Sequence, residues 1–60
     1  MKIKSIEIQG TTLTLVNKND DYYYVQVTTD GVAPITSMPI AHLCTATETF
    51  DLWYSRTFNQ

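Results

Sequence analysis

The spacing of apolar residues changes once along this chain, near residue 36, and that change fixes the fold class. Before it, apolar side chains recur at every second position, as on a half-buried strand. Beyond it, they recur at helical spacing. Residues 2–9 carry Ile3, Ile6 and Ile8. Ile6 and Ile8 share a face, whereas Ile3 falls on the other. Either another group buries Ile3, or a bulge near Lys4-Ser5 corrects the register. Gln9-Gly10 marks a hairpin turn, where glycine supplies the positive φ. Residues 11–16 alternate cleanly, with Leu13 and Leu15 opposite Thr12 and Thr14. Asn17-Lys18-Asn19-Asp20 reads as a polar loop. In residues 22–28, Tyr23, Val25 and Val27 point one way and Tyr22, Tyr24 and Gln26 the other. Asp30-Gly31 is a second hairpin signal. Residues 32–36 could add a short fourth strand, which Pro34 would confine to a sheet edge, because it cannot donate to the ladder.

The remainder reads as one amphipathic helix. With Ser37 as N-cap and Pro39 in the first turn, Ile40, Leu43, Cys44, Thr47, Phe50, Tyr54 and Phe58 form one stripe. Ala46, Trp53 and Thr57 lie on its flank. A shorter version starts near Ala46, because Thr45 and Glu48 match a capping box. The longer one is preferred, since the stripe runs unbroken back through Ile40. The expected architecture is therefore α+β. A three- or four-stranded antiparallel β-meander is followed by one C-terminal amphipathic α-helix packed on one sheet face. The expected core is Ile6, Ile8, Leu13, Leu15, Tyr23, Val25 and Val27, covered by Leu43, Phe50 and Tyr54. All 60 residues are expected to form a single small domain.

Composition limits the chemistry. The chain has one cysteine and one histidine, which excludes an internal disulfide and most zinc sites. No cofactor or metal is expected. Leu, Ile, Val and Phe supply 15 of the 60 residues, enough for a folded core. Four basic residues against six acidic ones give a net charge of -2, which disfavours nucleic acid and polybasic membrane binding. No apolar run approaches a membrane span, and no basic segment followed by an apolar one opens the chain. A cytoplasmic protein is expected, and the chain, opening on Met, reads as a complete small reading frame.

Three constellations resemble sites. His42 and Cys44 lie two apart, which on a helix sets them about 160° from each other, so a nucleophile–base dyad is not expected. Cys44 is expected to be buried on the stripe with His42 at its edge. Asn17, Asn19 and Asp21 have the opening spacing of a calcium loop. Tyr22 stands where the glycine belongs and Thr28 where the glutamate belongs, so a hairpin turn is the reading. Glu48 and Asp51 lie near solvent and make no acid–base pair. No catalytic constellation remains, and the chain is not expected to be an enzyme.

What remains is aromatic surface. Four tyrosines, two phenylalanines and one tryptophan are many for 60 residues. Amphipathic aromatics gather at interfaces. A chain this short buries only about 60% of its unfolded surface, so association is the natural supplement to its core; a self-sufficient monomer is the physical alternative. The candidate interface residues are Tyr22, Tyr24, Trp53 and Phe58. The expected function is a self-associating, non-enzymatic interaction protein, a homodimer or larger, that presents these aromatics to a protein partner. Single-stranded nucleic acid stacked on Tyr22 and Tyr24 is the alternative.

Overall fold

A computed structural model describes residues 1–58. Four strands, β1 (Lys2–Ile8), β2 (Thr11–Lys18), β3 (Tyr22–Thr29) and β4 (Val32–Thr36), precede one helix, α1 (Leu43–Phe58). The strands form one antiparallel sheet in sequence order, β1-β2-β3-β4, and the helix packs on its central strands β2 and β3. This is the α+β meander-plus-helix architecture that the change of period predicts.

The turns follow their residues. Gln9 and Gly10 both have positive φ, 52° and 83°, so the β1–β2 connection is a two-residue turn whose twist matches the strands. Asn19 and Asp20 take left-handed backbone at 53° and 59° between β2 and β3. The Asn17 side chain holds that turn: its Oδ1 accepts the Asp20 N–H at 2.9 Å and its Nδ2 donates to Asp20 Oδ1 at 3.2 Å. Gly31, at 78°, closes the third hairpin.

The core is small and lies on one side of the sheet. Leu13, Leu15, Val25, Ala46 and Phe50 are buried, and Ile6, Tyr23, Val27, Ile40, Trp53, Tyr54 and Phe58 pack around them. Cross-strand pairing explains the set. Leu13 stands opposite Ile6 and Val27, and Leu15 stands opposite Val25, so alternate residues from three strands meet under Phe50. Ile8 shares this face but is 39% exposed, because it lies at the turn end of an edge strand.

The Ile3 problem is solved by a bulge, one residue earlier than the sequence placed it. Register shifts between Lys2 and Lys4, so Lys4 rather than Ile3 pairs with Leu15 on the helix side. Ile3 is left 42% exposed. The Lys4 stem reaches the helix, with its Nζ 4.8 Å from the centroid of the Phe50 ring and 4.0 Å from Asp51 Oδ1. Both partners of the ion pair are open to water, so it contributes little.

The helix start differs from both versions the sequence offered. Residues 37–40 are extended backbone that completes the pairing of β3. Tyr23 and Ile40 exchange both backbone hydrogen bonds at 2.8 Å. Ser37 N–H donates to the Val25 carbonyl at 2.8 Å, and the Val25 N–H donates to Ser37 Oγ at 2.9 Å. Ser37 therefore caps a strand edge, not a helix. Pro39 disfavours helical backbone at Met38, which keeps this segment extended. The helix opens with Ala46 N–H donating to the His42 carbonyl at 2.9 Å.

With Ile40 removed from the stripe, the buried face turns toward Ala46, Phe50 and Trp53. Leu43 is then 48% exposed and Cys44 is exposed, against the expectation that both lie in the core. The helix tolerates its threonines partly through back-bonding: Thr47 Oγ1 donates to the Leu43 carbonyl at 3.0 Å and Thr49 Oγ1 to the Thr45 carbonyl at 2.8 Å. Thr45 thus sits inside the helix and is not its cap.

Two substitutions test this account by urea unfolding. Ser37→Ala leaves the Val25 N–H without its partner and is expected to cost about 1–3 kcal/mol. Leu15→Ala is expected to cost about 2–4 kcal/mol, enough to unfold much of a domain this small.

Candidate functional site

The face of the sheet that the helix leaves bare carries the candidate site. Its side chains run in rows across the strands. Lys2, Val16 and Tyr24 form one row; Ser5, Thr14, Gln26 and Thr36 form the next; Glu7, Thr12 and Thr28 form the third. Lys18 stands opposite Tyr22 at the end. Tyr22 and Tyr24 lie two apart on β3 and so share this face. Their ring centroids are 6.3 Å apart and their planes tilted by 43°. Both are half-buried.

Beside the two rings is a shallow groove of about 280 Å³, lined by Lys18, Tyr22, Tyr24, Gln26, Thr36, Ser37 and Pro39. The extended segment after β4 forms its far wall. Gln26 Nε2 donates to Thr36 Oγ1 at 3.3 Å and ties the two sides of its floor. One ammonium, two phenol groups and several amide and hydroxyl groups line it. Such a set can hydrogen-bond a backbone or a polar side chain, and can stack on a flat group. It holds no nucleophile paired with a base.

Lys2 and Lys18 both project from this face, at its tyrosine end, while Glu7 lies in the third row. Two of the chain's four basic residues are thus gathered beside the aromatic pair. Sequence reasoning places Lys2 and Lys4 near the tyrosine face; it misses Lys18, and the gathering observed is Lys2 with Lys18. That gathering depends on the bulge at Ile3, which puts Lys2 and Lys4 on opposite faces despite their spacing of two.

Trp53 and Phe58 have a different setting from Tyr22 and Tyr24. Both are half-buried on the helix side and pack against the core. Phe58 stacks obliquely on Tyr54, with centroids 5.3 Å apart. The four candidate residues therefore do not form one surface: two lie on the bare sheet face and two at the edge of the core on the other side.

The remaining constellations stay apart or serve the fold. His42 precedes the helix and Cys44 lies in its first turn, both exposed. Asn17, Asn19 and Asp20, with Met1, line a second depression of about 230 Å³, but the Asn17 amide is already engaged by Asp20. Among the described residues, no group of three or more His, Cys, Asp or Glu is placed to hold a metal ion. No helix of the described chain is long and apolar enough to cross a membrane. Comparison with protein-family models, with curated proteins and with solved structures finds no match to this chain.

Placement predicts two responses. Trp53→Ala is expected to lower stability by about 2–4 kcal/mol in urea unfolding, because the ring packs on the core. The Cys44 thiol is expected to react completely with a disulfide reagent in the folded protein, with no denaturant, because it is exposed.

Proposed function

We propose that this chain is a small, non-enzymatic interaction protein that self-associates and presents the Tyr22/Tyr24 face to a protein partner. The observation that carries the reading is the half-buried tyrosine pair beside the groove on the face the helix leaves bare. Tyrosine combines large apolar area with a hydrogen-bonding tip and costs little conformational entropy to fix, which suits a binding surface. The polar groove wall formed by Gln26, Thr36 and Ser37 offers complementary hydrogen bonds. Work in the cytoplasm is part of the proposal, and the exposed free thiol of Cys44 suits a reducing compartment.

A second reading has one specific observation in its favour. Lys18 lines the groove with the two tyrosines, the combination of cation and stacking ring that single-stranded nucleic acid uses. The net charge of -2 weighs against it, since phosphate neutralisation supplies much of such affinity.

Two measurements test the proposal. Thermal unfolding over a hundredfold range of protein concentration should give a midpoint that rises with concentration. Titration with a single-stranded oligonucleotide should leave tyrosine and tryptophan fluorescence unchanged. An unchanged midpoint removes self-association from the proposal. Quenching that falls steeply with added salt moves the function to the second reading.

A further inference from the structure

We infer that self-association runs through the outer edge of β1, which pairs antiparallel with β1 of a second copy to give one continuous eight-stranded sheet. This rests on the self-association proposed above and names its surface.

Backbone alternation selects the edge. Asn17 and Met1 exchange both backbone bonds at 2.8 Å, so on β2 the residues Asn17, Leu15, Leu13 and Thr11 turn their N–H and C=O groups toward β1. Their partners Lys4, Ile6 and Ile8 are thereby satisfied. Ser5 and Glu7, which alternate with them, direct their backbone groups outward. The sheet's other edge is a poorer template. It is β4, five residues long, where Pro34 has no N–H to offer and register shifts beside it.

Charge selects the occupant and the direction. β1 is polarised along its length, with Lys2 and Lys4 at its start and Glu7 near its end. Parallel pairing would set like charges side by side. Antiparallel pairing about a two-fold axis through Ser5 sets Glu7 of each copy beside the lysine end of the other. Lys2 and Glu7 also share one sheet face, the bare one, because the bulge at Ile3 shifts Lys2 there. The lysines and the bulge guard this edge against strands of other charge pattern, while Glu7 of a second copy meets Lys2; Lys4 stays on the helix side beside Phe50 and Asp51.

Burial agrees. β1 holds three isoleucines but no buried residue, and Ile3 and Ile8 are 42% and 39% exposed. The helix rests on β2 and β3, and among the described residues no strand or helix pairs with the outer edge of β1. The pairing also has a consequence for the site. A two-fold axis perpendicular to the sheet keeps both bare faces on one side, so the dimer shows two tyrosine grooves in the same direction, with both helices behind.

The test is sedimentation equilibrium on four proteins. Wild type should be a dimer. Ser5→Pro removes an outward N–H without touching the β2 ladder, and should be a folded monomer by circular dichroism. Glu7→Lys should weaken dimerisation by about tenfold through two lost and reversed charge contacts. The exchange of both, Lys2→Glu with Glu7→Lys, should restore most of that loss. If Ser5→Pro fails to fold, the Glu7→Lys and exchange pair decides. A dimer of unchanged affinity in Glu7→Lys, or in folded Ser5→Pro, overturns the β1 interface while self-association stands. A wild-type monomer at about 1 mM overturns both.

Discussion

Phe50 seated on Leu13, Leu15 and Val25 is the contact on which the rest of this structure depends. Among the described residues, five fully buried side chains are few, and two of them, Ala46 and Phe50, are all that the helix contributes to that set. One helix can cover only one side of a sheet and only its central strands. The bare face, the two edges and the exposed ends of β1 and β4 follow from that limit. Small size is therefore the origin of the uncovered surfaces as well as of a small core.

β3 is the strand that joins these parts. Its whole length pairs with β2 without a shift, and its other edge is satisfied by β4 and then by residues 37–40. Its inward side chains enter the core and its outward ones make the tyrosine pair. The Ser37 hydroxyl bridges the point where the strand pairing would otherwise break, and so delays the helix until Leu43. The same detour builds the wall of the groove. Stability of the edge and shape of the candidate site thus share one residue.

Much of this was legible in the sequence. Period two located the strands to within a residue or two, and glycine at Gly10 and Gly31 located two of the turns. The division of Tyr23, Val25 and Val27 from Tyr22, Tyr24 and Gln26 named both the core and the bare face. What was not legible involves long-range pairing. Ile40 fits a helical stripe and an edge strand equally well by hydrophobicity; only the unpaired backbone of Tyr23, 17 positions earlier, decides between them. Leu43 and Cys44 followed Ile40 into the expected stripe and were wrong for the same reason. The bulge at Ile3 was anticipated, but its exact position decides which lysine faces the tyrosines, and no local signal fixes that. Trp53, on the flank of the stripe, and Phe58, at its far end, each read as core or surface from the helical wheel.

The central claim is that the middle of β2, the middle of β3 and one turn of α1 hold the fold, and that the sheet edges lie outside this core. Native-state amide hydrogen exchange tests it most directly. The account predicts that the amides of Leu13, Leu15, Val25 and Phe50 exchange together and most slowly, through global opening alone, while those of β4 exchange faster through local opening. Slowest exchange in β4, or fast exchange at Val25 and Phe50 while other segments stay protected, would contradict it.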